Sequence, residues 1–222
     1  MLGLPASTEF NQRIPKTKFY ANLGMTPAVK RLFTDQLDTI IWRNKICPDT
    51  VNIAPADNVA EIEVIETSLK YKKLDKRVLE IIDREVPYHI VFVLSFEGME
   101  QLAIGYKQES GNREDQYKVD SYYFSDWRPK GQLALELKAL NLGSLYEGWL
   151  KSLLPTHAVK TGDIAEAVSK HKEIERLEKQ IASLEKKIGQ EKQFNIRVKL
   201  NTELRLVNHE LEVLNEEFPS AL

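Results

Sequence analysis

The sequence is poor in the residues that build most catalytic and structural sites. Its 222 residues include one cysteine, Cys47, so no disulfide can form within the chain, and this fits a reducing, cytoplasmic setting. The four histidines form no recognisable metal motif, and there is no glycine-rich phosphate loop, G-x-S-x-G or H-E-x-x-H sequence. We therefore predict no metal, no cofactor and no catalytic centre of a familiar type.

Neither one sign of charge nor a long apolar run dominates the chain. The formal net charge is -2, so only a local patch would attract nucleic acid. The longest apolar run, residues 89–96, is too short to span a bilayer, and residues 1–16 lack the pattern of a signal peptide. With 42% hydrophobic and 29% charged residues, the chain is expected to form a globular protein.

Residues 1–155 are expected to form one α+β domain that begins with an irregular N-terminal arm. β-branched and aromatic runs predict five strands, at 39–46, 58–70, 88–96, 101–106 and 117–124. Helical spacing predicts helices from Thr26, over 73–85 and over most of 133–154. Clustered neighbouring strands favour a mixed, largely antiparallel sheet with flanking helices. The alternation of the second strand changes phase near Ile65–Glu66, which predicts a bulge or a strong twist.

Residues 164–218, after a linker at 156–163, carry the clearest periodicity. Apolar residues recur at alternating steps of three and four: Ile174, Leu177, Ile181 and Leu184 in a first run, and Leu200, Leu204, Val207 and Leu211 in a second. This is the heptad pattern of a coiled coil. Coiled coils bind partners, so these eight residues are the predicted protein interface.

The two heptad runs are out of phase, and Gly189 lies between them. Glycine is common just past a helix end, so we predict an antiparallel hairpin instead of one long helix with a stutter. A single register supports this choice, because it pairs Leu177 with Leu204 and Ile181 with Leu200 at once. The hairpin would have a basic tip.

Two basic segments are candidates for direct nucleic-acid binding. One comprises Lys70, Lys72, Lys73, Lys76 and Arg77, and the other, at the hairpin tip, comprises Lys186, Lys187, Lys192, Arg197 and Lys199. Tyr71 interrupts the first segment, and aromatic side chains stack on bases. Arg13 and Lys16 in the arm are also mixed with aromatics. Ordinary solvated surfaces explain the same residues without any ligand.

Paired carboxylates suggest a metal-dependent nuclease as a further alternative. Asp38 precedes one predicted strand, and Glu63, Glu66 and Lys70 lie on the next. Restriction-type nucleases hold a metal with an acid on one strand and E-x-K on the next. The spacing here departs from that motif, because Glu66 and Lys70 are four apart and Ser68 stands where the second acid would be.

Several segments resemble a bacterial family described only as domain of unknown function 4391. The residues that carry the resemblance are Ile14-Pro15-Lys16 with Phe19-Tyr20, 37–45, Thr50-Val51-Asn52-Ile53, 61–70, 89–94, 191–195, Val198 and Leu200-Asn201. Genes of this family often lie beside helicase and DNA-methyltransferase genes in restriction-like, anti-phage loci. The resemblance implies an accessory role near such enzymes and supplies no catalytic residue. Our leading hypothesis is a non-catalytic adaptor that binds a helicase, a methyltransferase or a second copy of itself through the hairpin.

Overall fold

A computed structural model describes residues 2–21, 26–56, 59–109, 117–154 and 163–216. The chain divides into two compact units, Met1–Leu153 and Leu154–Leu222, which we describe separately. Most of the predicted linker at 156–163 lies outside the described residues. None of the described helices is both long and apolar enough to cross a membrane.

The first unit is built on an open, mostly antiparallel sheet, which confirms the predicted α+β class. Six strands follow one another across the sheet in chain order: β1 (Glu9–Arg13), β2 (Leu37–Ile46), β3 (Ile62–Leu69), β4 (His89–Phe96), β5 (Met99–Glu109) and β6 (Tyr117–Phe124). A short strand, β7 (Arg128–Pro129), pairs with β5. Among the described strands, only the neighbours β3 and β4 run parallel, and a crossover helix joins them, as a parallel connection requires.

The α-helices in the described part of this unit are α1 (Thr17–Ala21), α2 (Pro27–Gln36), α3 (Pro48–Val51), α4 (Lys76–Glu85) and α5 (Leu142–Leu153). The crossover helix α4 is capped at its N-terminus by Asp75, whose side chain accepts a hydrogen bond from the backbone N–H of Arg77. Leu79 and Ile82 of α4 are fully buried in one core with Phe92 of β4. Val91 and Val93 lie on the opposite face of β4 from Phe92, and they are also buried. Both faces of the central strands are therefore covered.

The two ends of this unit differ from the prediction. The N-terminal arm is not irregular, because β1 pairs with β2 as an edge strand and α1 follows it. The aromatic residue Phe19 of the arm packs in the core. Residues 133–141 are not helical, and α5 begins only at Leu142. Leu135 is instead buried in a strand-like segment whose backbone N–H bonds to the carbonyl of Leu2. Tertiary pairing here overrides local helical spacing.

The predicted irregularity in the sheet lies on the partner strand. β3 pairs with β4 without interruption from Ile62 to Ser68. The register slips in β2, where Trp42 faces Ile65 but Asn44 already faces Val64. Arg43 is therefore the extra residue of a bulge. The phase change in the sequence of β3 has a different origin: nearly all of β3 is buried, so its polar residues do not mark a wet face.

The second unit is a pair of helices that form a hairpin, as predicted. These are α6 (Ile164–Gln190) and α7 (Phe194–Glu216). Gly189 lies inside α6, and the helix ends one residue after it. The capping residue, Glu191, is extended, and its carboxylate accepts a hydrogen bond from the backbone N–H of Gln193 at 2.8 Å. The turn is thus closed by a side chain and needs no left-handed glycine.

Candidate functional site

The four residues of the nuclease alternative do not converge. Glu63 and Glu66 are three positions apart in an uninterrupted strand, so their side chains leave opposite faces of the sheet. Asp38 is exposed at the start of β2, whereas both glutamates are buried. The ammonium group of Lys70 bonds to the backbone carbonyl of Thr34 at 2.8 Å. Within the described ranges, no three His, Cys, Asp or Glu side chains form a group that could hold a metal ion.

The buried carboxylates in β3 and directly before it have neighbours that explain them. Arg43, the bulge residue of β2, donates a hydrogen bond from Nε to Glu66. The bulge points this guanidinium at Glu66 across the strand pair. Lys45 forms an ion pair with Glu61, with Nζ 2.7 Å from Oε2. The structure therefore places Arg43 and Lys45, which the nuclease alternative did not include, against the strand's acidic residues.

Glu61 and Glu63 form a coupled pair of carboxyl groups. Burial, and then the neighbouring Glu61, raise the pKa of Glu63 to about 9. Burial alone would also raise the pKa of Glu61, but hydrogen bonds with Glu63 and Lys45 outweigh it and lower that pKa. The side chain of Trp42 and the charge of Lys45 act in the opposite direction on the pKa of Glu63, but they do not offset the effect of burial. A proton on Glu63 makes that carboxyl the donor to Glu61, so the pair holds one proton at neutral pH.

The basic segment after β3 lies at one end of the sheet, and Lys16 from the N-terminal arm joins it. Burial, and then the charge of Lys70, lower the pKa of Lys16; Asp38 opposes this and Arg13 adds to it. The ammonium group of Lys16 bonds to the backbone carbonyl of Leu37 at 2.7 Å. The structure thus brings together basic residues from two distant segments that the sequence presented separately.

The other residues of that segment differ in how they are used. Lys72 Nζ lies 5.7 Å from the centroid of the Trp127 ring, and Lys76 Nζ lies 5.4 Å from that of Phe124. These are cation–π distances. Lys73 is exposed. Arg77 is engaged by Asp75, with Nη2 2.7 Å from Oδ2, so it adds little net charge to the surface.

A buried polar network lies between α4 and the sheet, and the sequence analysis missed it. Lys107 Nζ lies 2.9 Å from Asp83 Oδ1 and donates to the carbonyl of Tyr88 at 2.6 Å. The hydroxyl of Tyr122 donates to the other Asp83 oxygen. Burial raises the pKa of Asp83, although Lys107 and Tyr122 oppose this. Asp83 follows Leu79 by four residues, which places it one turn further along the buried face of α4.

His89 is buried beside this network. Its ring lies 4.6 Å from that of Tyr146, measured between centroids, in an edge-to-face arrangement. Burial, and then the charge of Lys107, lower the pKa of His89 to about 3, so the imidazole is neutral. The Tyr146 hydroxyl donates to the backbone carbonyl of Gly105 at 2.8 Å. These contacts give His89 a packing role in the core.

The eight heptad residues proposed as an interface lie between α6 and α7. Leu177, Leu184 and Val207 form a buried cluster, and four more pack against it: Ile181, Leu200, Leu204 and Leu211. Ile174 of α6 is buried as well. The seam therefore holds the hairpin together. Whether a partner also depends on it stays a prediction.

The hairpin tip presents all five predicted basic residues to solvent. Lys186, Lys187, Lys192, Arg197 and Lys199 are exposed on either side of the turn. Phe194, the first residue of α7, is exposed among them. An exposed aromatic residue at this position was not predicted to matter. Its signal in the sequence is that it falls outside the heptad spacing.

The outer face of α7 carries a second apolar stripe. Val198, Leu206 and Val213 are 48%, 62% and 43% exposed. At 100° per residue their mean direction lies almost opposite the seam with α6. Thr202 and His209 occupy the intervening positions of the same face. Isolated apolar residues on a surface are common, but an aligned row on a charged helix indicates a contact surface.

Comparison with known proteins gives a family and no function. The family described as "Domain of unknown function (DUF4391)" matches residues 2–211. No curated protein and no solved structure matches the chain. The match covers both the sheet unit and most of the hairpin, so the chain belongs to the DUF4391 family.

Proposed function

We propose that this protein is a non-catalytic adaptor that assembles through its C-terminal hairpin, and that the outer stripe of α7 receives α7 of a second copy. The observation that carries the proposal is the exposed row of Val198, Leu206 and Val213. α6 offers a contrast, because its described exposed positions include no large hydrophobic side chain. The hairpin therefore has one face suited to a partner.

The stripe is suited to pairing with itself. Leu206 stands eight residues after Val198 and seven before Val213, so the row is nearly symmetric about Leu206. A two-fold axis near Leu206 would pair Val198 of each copy with Val213 of the other, and Thr202 with His209. Such self-complementary surfaces are typical of two-fold dimers. The contact from 198 to 213 would be about 23 Å long at 1.5 Å per residue.

Charge along α7 favours an antiparallel arrangement. Arg197 and Lys199 lie at the start of the stripe, whereas Glu210 and Glu212 lie near its end. Between them, Glu203 and Arg205 cancel. Antiparallel pairing brings the basic end of one helix to the acidic end of the other, and parallel pairing would place like charges together.

The adaptor role is supported by how the body uses its acidic residues. Glu66 is paired with Arg43, and Glu63 is protonated beside Glu61, so the acids of β3 are engaged in structural contacts. The family resemblance suggests the enzymes that such an adaptor would serve. These are a helicase or a DNA methyltransferase of a bacterial restriction-like or anti-phage system, in the cytoplasm. The choice of these enzymes and of a defence system rests on the resemblance alone, whereas the cytoplasmic setting rests on the single cysteine.

Sedimentation equilibrium across the micromolar range tests the assembly. The wild type should approach twice its chain mass of 25.5 kDa. Leu206→Glu should remain at the monomer mass, because it places a charge at the centre of the stripe. Ala182→Glu is the matched control, since it adds the same charge at an exposed position of α6. A wild type that stays monomeric at the highest concentration, or two variants that dissociate alike, would overturn the proposal.

A further inference from the structure

The end of the sheet near Lys70 collects cations from two parts of the chain. Arg13 and Lys16 belong to the arm, and Lys70 directly follows β3. The charges of Lys70 and Arg13 both lower the pKa of Lys16, which shows that the three groups lie within electrostatic range. Like charges repel, so a surface that gathers them is suited to an anionic ligand.

Backbone carbonyls fix two of these ammonium groups in place. Lys16 Nζ bonds to Leu37 O at 2.7 Å, and Lys70 Nζ bonds to Thr34 O at 2.8 Å. Thr34 and Leu37 border the junction of α2 and β2, so both lysines are held at the same junction. An ammonium group has three donors, and each of these bonds uses one. The remaining donors suit oxygen acceptors such as phosphate.

An exposed aromatic ring stands directly beside Lys70. Tyr71 is 63% exposed. The rings of Trp127 and Phe124 are covered instead, because the ammonium groups of Lys72 and Lys76 lie over them. Lysines around an open ring form the combination that binds single strands, in which phosphates meet cations and a base stacks on the aromatic face.

We propose that this surface, formed by Arg13, Lys16, Lys70, Tyr71, Lys72 and Lys73, binds single-stranded nucleic acid. Lys16 and Lys70 contact phosphates, and the ring of Tyr71 stacks on a base. The inference goes beyond the adaptor role and does not depend on the hairpin, because every residue belongs to the sheet unit. Asp38 opposes the ligand, since its charge acts directly on Lys16.

Fluorescence anisotropy on the full chain tests this, with a labelled DNA single strand of about 20 nucleotides and a duplex of equal length. Lys16→Gln combined with Lys70→Gln removes both charges and keeps N–H donors for the two carbonyls. Lys16→Arg combined with Lys70→Arg keeps the charges. Lys138→Gln is the control at an exposed lysine elsewhere. Thermal melts monitored by circular dichroism show whether each variant is folded.

We expect the double glutamine variant to bind the single strand about ten-fold more weakly, and its slope of log K against log salt to be shallower by about 1.4. Tyr71→Ala should weaken binding at least about five-fold, the lower end of a stacking loss. Asp38→Asn should strengthen it. The double arginine variant and Lys138→Gln should behave as wild type.

Three results would overturn the assignment. The first is equal loss of binding in Lys138→Gln and in the double glutamine variant, which would indicate a diffuse charge effect. The second is duplex binding as tight as single-strand binding together with no effect of Tyr71→Ala. The third is equally effective competition by polyglutamate, which would indicate a general polyanion surface. Because Leu206→Glu leaves this surface intact, loss of assembly and loss of nucleic-acid binding are separate outcomes.

Discussion

The carboxyl groups of Glu61 and Glu63 share one proton at the start of β3. Glu61 is ionised beside Lys45, with 2.7 Å between Oε2 and Nζ, and Glu63 is protonated because burial and Glu61 raise its pKa to about 9. Glu63 is almost completely buried, and a charged form there would have no compensating cation of its own. The pair makes the stability of the sheet depend on pH.

Replacing Glu63 with glutamine should remove this dependence. In the unfolded chain Glu63 loses its proton near its ordinary pKa of 4.5, whereas the folded protein keeps it until about 9. The folded state therefore binds more protons between these values, and stability falls as pH rises through that window, by up to about 1.4 kcal/mol per pH unit. Glu63→Gln keeps a donor to Glu61 and carries no charge, so it should lose this slope.

Urea unfolding of both proteins from pH 5 to about 8.5 measures the effect. We expect the stabilities to lie close together at pH 5 and to separate as pH rises, with the glutamine variant the more stable. Parallel curves over the whole range would show that Glu63 carries no extra proton.

Lys107 should be among the residues that contribute most to the stability of the first unit. Its ammonium group lies 2.9 Å from Asp83 Oδ1 inside the protein. Lys107→Met leaves a buried carboxylate with only the Tyr122 hydroxyl beside it, and removing one partner of a buried ion pair costs about 3–5 kcal/mol. Lys118→Met, at an exposed position of β6, should change stability by less than about 0.5 kcal/mol.

Adding Asp83→Asn to Lys107→Met tests the cause of that loss. The second substitution removes the unpaired charge, so part of the stability should return in denaturant unfolding. Asp83→Asn alone gives the reference. If it lowers the free energy of unfolding of Lys107→Met by as much as it lowers that of the wild type, packing and not charge sets the cost.

The seam between α6 and α7 and the outer stripe of α7 should respond differently to polar substitution. Leu177 of α6 is fully buried in the seam, so Leu177→Ser should destabilise the hairpin and reduce helical circular dichroism. Leu206→Ser should leave the helical signal unchanged, because Leu206 lies outside the seam. Equal loss of helix in the two variants would mean that Leu206 supports the folded hairpin itself.

The helices and strands that the sequence predicted are those with a repeating pattern in neighbouring residues. The heptad spacing within each run of apolar residues is enough to predict the hairpin. Ile181 and Leu204, for example, both belong to the contact that repeats along the two helices. The five predicted strands exist, and Phe92 lies in the one that is apolar along most of its length. The sheet gains β1 at its edge, where every residue is exposed and so has no apolar alternation to detect.

Contacts between distant segments could not be predicted in the same way. Lys16 and Lys70 belong to different segments, and only the placement of the arm against β2 brings them together. Glu63 and Glu66 suggested a nuclease site because acids on neighbouring strands can hold a metal together. The strand is covered on both sides, so each acid is instead held by a structural neighbour.

Cysteine crosslinking between copies tests the antiparallel assembly most directly. Val198→Cys and Val213→Cys proteins are prepared separately and then mixed under mild oxidation, with Cys47 buried in both. Antiparallel pairing about Leu206 predicts a crosslinked dimer mainly in the mixture, because residue 198 of one copy meets residue 213 of the other. Crosslinks that form equally well in each single preparation, or none in the mixture, would contradict the account.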